Sequence, residues 1–206
     1  MFKEKLHKKL SQALTLNGFE EPKPLQLKCL PKINGGFDVI GIGPLNSGRS
    51  SLAVISAIQK LQYAFEDPPR AMILVANKEK ALAMLEQFKL LTRETDLRAL
   101  AIFEEGKIDD QTVDIYAGVD LVIGTANRIM DIYFKRTLNL NKIKLFVIDD
   151  AESMIENRWQ GQIDRLALSL PKCQHLVFTS ILNEKIEKLI SKFIISPQII
   201  EVKETL

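Results

Sequence analysis

The sequence predicts an α/β fold, a mostly parallel sheet with helices on both faces. Three observations carry this expectation. Short, nearly continuous apolar runs recur along the chain, as strands buried on both faces require. Stretches with helical periodicity alternate with them, the rhythm of βαβ units. One apolar run ends in a glycine-bearing loop, GPLNSGRSS (43–51), that opens directly into a helical pattern.

Residues 4–17 have Leu6, Leu10, Ala13 and Leu14 on one helical face. Pro22 and Pro24 break the chain, and a short helix follows to about Lys32. FDVIGI (37–42) is the first strand, and a helix runs from Arg49 to about Gln62. EDPPR (66–70) reads as a turn before AMILVA (71–76), which leads into a helix over 78–92. LRALAIF (97–103) is the next strand, and the polar segment 104–118 starts with the acidic EEGKIDDQ, an exposed loop or helix start. DLVIGT (120–125) precedes a helix to about Phe134, and IKLFVIDD (143–150) precedes one through the 150s and 160s. HLVFTS (175–180), a helix over 183–193 and QIIEV (198–202) complete the series.

The 206 residues suffice for one α/β domain with a sizeable core, and 46% hydrophobic with 26% charged residues is a globular balance. A net charge of +2 gives no global case for nucleic-acid binding, so local clusters must carry it. The basic run KEKLHKKL reads mainly as a solvated helix face. Cys29 and Cys173 are far apart, which argues against a zinc site or a disulfide framework and for a reducing compartment, such as the cytoplasm. The N-terminus lacks the apolar core of a secretory signal, no run reaches membrane-spanning length, and no membrane partner is expected. His7 and His175 have no plausible metal partner, and Trp159 reads as a packing residue.

In parallel sheets ligands bind at the carboxyl ends of the strands, so the residues there should crowd one edge: 43–50, 77–79, 125–128, 149–152 and 179–180. GPLNSGRS has the spacing of a phosphate loop, G-x-x-x-x-G-K-[ST], with Arg49 in the lysine position. Its backbone N–H groups and helix start suit an anion, and Ser50 is placed to meet magnesium. The alternative is a strand-to-helix turn that binds nothing. FVIDDAE ends a strand in Asp149 and Asp150, either a magnesium-coordinating and a water-orienting carboxylate or simply a helix cap.

The order of these motifs resembles the first RecA-like domain of DEAD-box RNA helicases, over essentially the whole chain. GFEEPKPLQ (18–26) resembles the family's Q motif, with Gln26 in place to read adenine, Lys23 replacing a threonine, and Phe2 at the distance of an upstream aromatic that packs on the base. GPLNSGRS lies where the family has A-x-T-G-x-G-K-T, so Gly43, Asn46, Ser47, Gly48, Arg49 and Ser50 are the implied nucleotide contacts. Asn46 is able to supply the positive φ of a glycine. VANKEKA (75–81) lies where P-T-R-E-L-A is expected, and GTANR (124–128) resembles T-P-G-R, which makes Asn77, Lys78, Thr125 and Arg128 the implied contacts to RNA backbone. VIDDAE aligns with the D-E-A-D box through Asp149, Asp150 and Ala151 with Glu152 last, and FTSI (178–181) with S-A-T, which keeps a coupling hydroxyl at Thr179.

The resemblance thus implies one RecA-like domain over 1–206, with a Q-like region at 1–35 and a core at 36–206. It implies ATP and Mg2+ as cofactors, the metal held mostly through water by Ser50 and Asp149. RNA and a second RecA-like domain are the implied partners, with further protein partners possible in a longer protein of which this chain is a piece. Arg49 for lysine and Asp150 for the water-activating glutamate predict weak or impaired hydrolysis. The alternative is an inactive helicase-like module that serves as an RNA-binding or protein scaffold.

Overall fold

A computed structural model of the chain describes residues 3–203 apart from Glu20 and Glu66; Phe2, the candidate adenine-packing aromatic, lies outside the described residues. A 3-10 turn at Lys3–Lys5 and helices α1 (Lys8–Leu16) and α2 (Pro24–Asn34) precede the first strand, β1 (Val39–Ile42). Strands and helices then alternate as α3 (Arg49–Leu61), β2 (Ala71–Leu74), α4 (Lys78–Leu91), β3 (Ala99–Ile102), α5 (Ile108–Tyr116), β4 (Leu121–Gly124) and α6 (Ala126–Phe134). The chain continues through β5 (Leu145–Asp149), α7 (Ala151–Glu156), α8 (Gln160–Ser169), β6 (Gln174–Thr179), α9 (Glu184–Ile190) and β7 (Gln198–Glu201).

The strands form one sheet in the order β3-β4-β2-β5-β6-β1-β7, and each pairing is parallel. Because side chains alternate along a strand, strands β1 to β6 each feed two cores. Ile73, Ile123 and Val147 enter the cluster that holds Leu10, Leu25, Leu52 and Met84 of α1–α4. Met72, Val122 and Phe146 enter the opposite one, with Ile115, Ile129, Met154, Ile163 and Ile186 of α5–α9. Full burial of each such side chain contributes about 1.5–3 kcal/mol, which is why the apolar runs were readable as two-sided strands.

Four elements differ from expectation in their bounds. The first helix begins at Lys8 because His7 is extended (ψ 140°) and its N–H donates to Gln59 Oε1 on α3. The polar segment after β3 contains α5, which buries Gln111 and Ile115. The helix through the 150s and 160s is two helices, broken where Arg158 takes φ +60°. The last helix stops at Ile190. Trp159 packs against the second core, as expected, and His175 lies edge-to-face against Phe146 and tilted against Phe193.

Candidate functional site

The sheet order sets which strand ends are neighbours. Across the carboxyl edge run the ends of β3 (103–107), β4 (Thr125), β2 (75–77), β5 (149–150), β6 (179–180) and the loop after β1 (43–48). The phosphate-like loop, the Asp pair and Thr179 therefore share one half of the edge. Asn77, Lys78, Thr125 and Arg128 share the other.

The loop is braced from two sides. The Gly43 N–H donates to the Thr179 carbonyl (3.0 Å). Asn46 takes φ +65°, the geometry expected of it, and Gly48 takes φ +87°. A Cβ at Gly48 would lie 2.6 Å from Gln26 Nε2, and one at Gly43 would lie 2.8 Å from Ser47 Oγ. Buried Gln26 accepts the Lys23 N–H (3.0 Å) and donates to the Gly48 carbonyl (3.3 Å). The Lys23 ammonium donates to the Asn46 carbonyl. A cleft of about 200 Å³, lined in part by Lys23, Pro24, Leu45, Asn46 and Ser47, opens beside the loop. Ser47 Oγ is buried with no partner. A much larger cleft, about 710 Å³ between α1 and the end of α4, touches none of the strand-end residues, so size alone does not locate the site.

Charge pairs link the loop to the Asp pair. Arg49, 5% exposed, donates to Glu152 Oε1 (2.9 Å). Glu152 also accepts the Ser180 N–H (2.7 Å), and its other oxygen lies 2.7 Å from the Thr179 hydroxyl. Burial alone would raise the Glu152 carboxyl, but the hydrogen bonds from Ser180, Thr179 and Arg49 outweigh it and hold the group down at about 2. Ser50 donates to Asp149 Oδ2 (2.7 Å), while Asp149 Oδ1 is buried without a partner. Burial pushes the Asp149 carboxyl up, against the pull of Lys80 and Ser50. The Lys80 ammonium lies 3.2 Å from Asp149 Oδ2 and 3.3 Å from Asp150 Oδ2. Asp150 stands at the N-cap of α7 at φ +73°, yet its side chain caps nothing. Its carboxylate turns to Lys80, so the capping alternative does not describe this residue.

On the other half, the loop after β3 meets the candidate backbone contacts. Lys78 pairs with Glu105 (2.8 Å) and lies over the Phe103 ring. Buried Thr125 donates to Glu104 Oε2 (2.7 Å). Arg128 donates to the carbonyls of Glu104 and Gly106. Asn77 caps α4 by accepting the Lys80 N–H (2.9 Å).

A glycine loop braced by a Q-like glutamine, beside a strand-end Asp pair on a parallel sheet, is the arrangement that the sequence resemblance implies. The family model described as DEAD/DEAH box helicase matches residues 23–189. The chain belongs to that family. It is 28% identical over 179 residues to the ATP-dependent RNA helicase DBP10 of Meyerozyma guilliermondii, covering 86% of this chain and 20% of the relative. It is 27% identical over 199 residues to the ATP-dependent RNA helicase CshA of Listeria monocytogenes, covering 96% and 38%. The chain thus spans well under half the length of these curated relatives. In fold it is similar to a DEAD box protein of Methanococcus jannaschii, with TM-score 0.88 and 23% identity over 95% of this chain and 54% of that one. It is also similar to Saccharomyces cerevisiae Dbp5 bound to Nup159, Gle1, IP6 and ADP, with TM-score 0.86 and 20% identity over 96% and 52%.

For this DEAD-box domain, the features that suit an anion are the start of α3 after Gly48 at positive φ and the buried Ser47 hydroxyl, which is unspent. The Asp pair does not fit a divalent cation as arranged, because the Lys80 ammonium already sits at contact distance from both carboxylates. Three site residues escaped the sequence reading. Lys80 stands where the family motif has leucine, a charge in an apolar position that would have flagged it. Glu104 and Glu105 follow β3, an edge strand, in a segment that reads in the sequence only as an exposed acidic loop or helix start. All three lie within hydrogen-bonding reach of residues that were named.

Proposed function

We propose that this domain binds nucleotide at the loop 43–50 and hydrolyses it weakly. The observation that carries the proposal is the contrast within one site. The loop 43–48 is braced by Gln26 and Thr179, while the two residues that replace the family's catalytic pair are committed elsewhere, Arg49 to Glu152 and Asp150 to Lys80. In this reading ATP places its base near Gln26 and its phosphates on the N–H groups from Gly48 to Ser50, the Ser47 N–H being given to the Pro44 carbonyl. Thr179, linked to Arg49 through Glu152, is the residue that would pass a change at the loop to β6. A second RecA-like domain, as in the family's helicases, would complete the nucleotide pocket. Phosphate release under single-turnover conditions tests the reading. Release far below about 1 per second, with or without RNA, is expected; turnover at or above that common enzymatic rate contradicts it.

A second reading is favoured by a separate observation. Lys78, Thr125 and Arg128, three of the four candidate RNA contacts, all meet the loop after β3, two of its carboxylates included. In this reading the domain is a catalytically inactive scaffold with little affinity for RNA backbone. Filter binding of single-stranded RNA at low salt separates the readings, since phosphate contacts dominate such binding.

A further inference from the structure

We propose that Lys80 is the resident cation of the nucleotide site, and that nucleoside phosphates bind here as metal-free anions. The inference rests on the nucleotide reading above and concerns what replaces the metal. Its starting point is placement. β2 and β5 are neighbours in the sheet, with Leu74 opposite Ile148. The first turn of α4, which follows β2, therefore overhangs the end of β5. The Asn77 side chain fixes that turn by accepting the Lys80 N–H. From there the Lys80 side chain reaches both carboxylates at once, 3.2 Å from Asp149 and 3.3 Å from Asp150.

Apart from the buried, unpartnered Asp149 Oδ1, the surroundings offer a metal little. Asp149 Oδ2 is shared between the Lys80 ammonium and the Ser50 hydroxyl. Glu152, the remaining acid of the DDAE run, is held by Arg49, Thr179 and Ser180. Among the described residues no group of three or more His, Cys, Asp or Glu is arranged to hold a metal ion. A dication entering between Asp149 and Asp150 would meet an ammonium at contact distance, and like charges repel strongly in a partly dry site. An ammonium carries three donors, enough for two carboxylates and a phosphate oxygen together. Lysine is a common point-charge partner of phosphate. Lys80 thus approaches the phosphates from β2's side of the edge, while Arg49, in the position of the family's loop lysine, is turned to Glu152.

Two measurements on the 206-residue chain and its Lys80→Leu variant test this, with Lys80→Arg as a charge-retaining control. The first is uptake of Mn2+ alone, followed by the resonance signal of the free ion. The proposal expects no uptake by the wild type or Lys80→Arg and uptake by Lys80→Leu. Equal behaviour of wild type and Lys80→Leu, whether both take up the ion or neither does, overturns it. The second is calorimetric titration with ATP in magnesium and in EDTA. The wild-type affinity is expected to agree within about twofold between the two conditions, and that of Lys80→Leu to fall at least about tenfold in EDTA. A wild-type affinity that collapses in EDTA overturns the proposal. If no protein binds ATP, the nucleotide reading fails and metal-free binding fails with it, whereas the Mn2+ result still decides whether Lys80 holds the cation position.

Discussion

Replacing Glu152 by glutamine removes one charge from the centre of the site with little change of shape. Glu152 is held at about 2, against an ordinary value of 4.5. That gap corresponds to about 3 kcal/mol of folding free energy at neutral pH. The side chain is only 18% exposed, so solvent screens little of it, and Arg49 at 5% exposure would be left buried and unpaired. Breaking a buried pair on one side costs about 3–5 kcal/mol, a figure of the same order for the same interaction. For a chain of this size, about 2–4 °C of melting temperature is lost per kcal/mol, so Glu152→Gln should melt about 6–12 °C lower. The pH dependence has a definite sign. A depressed carboxyl stabilises the fold above its unfolded value and loses that contribution as pH falls, here from about 5 toward 2. Asp149, raised by burial, works in the opposite direction but is common to both proteins, so the difference between their curves isolates Glu152. Calorimetric melting of both across that pH range is the assay. A shift below about 2 °C at neutral pH, with parallel curves below pH 5, would refute the claim that this cluster holds the site together.

Other substitutions probe the remaining parts. Gly48→Ala forces a Cβ to within 2.6 Å of Gln26 Nε2 at a φ of +87°; it should lower stability by at least about 1 kcal/mol and weaken nucleotide binding, measured by melting and titration. Glu104→Gln combined with Glu105→Gln should free Lys78 from its ion pair, remove two negative charges from this half of the edge, and raise affinity for single-stranded RNA about tenfold at low salt, with a steeper salt dependence in filter binding. Arg49→Lys with Asp150→Glu restores the family's pair by resemblance, yet single-turnover phosphate release should remain slow while Lys80 is present, and should rise when Lys80→Leu is added.

Much of this was legible in the sequence because the physics was local. Buried parallel strands read as apolar runs, and the carboxyl-edge rule gathered Gly43–Ser50, Asp149–Asp150 and Thr179 before any contact was known. Asn46 carries its own signature, since its short polar side chain tolerates positive φ. The helix bounds were less legible. His7 is extended through a contact with Gln59, 52 positions away, and Arg158 breaks a helix that periodicity alone would continue. The charge pairing was least legible. That Lys80 meets Asp149 and Asp150 follows from β2 lying beside β5, and that Glu104 meets Thr125 follows from β3 lying beside β4; neither adjacency is written in local spacing. Asp150 shows the same limit. A strand-end Asp before a helix suggests a cap, and only the approach of Lys80 from another element draws its carboxylate away.

The central claim, that an anion cradle persists beside an immobilised chemical pair, is tested most directly by calorimetric titration of the chain with ATP, with Gln26→Ala as control. The structure predicts saturable binding that weakens at least about tenfold in the control, because Gln26 braces Gly48 from within the loop. An absence of heat up to about millimolar nucleotide, or binding indifferent to Gln26, would contradict it.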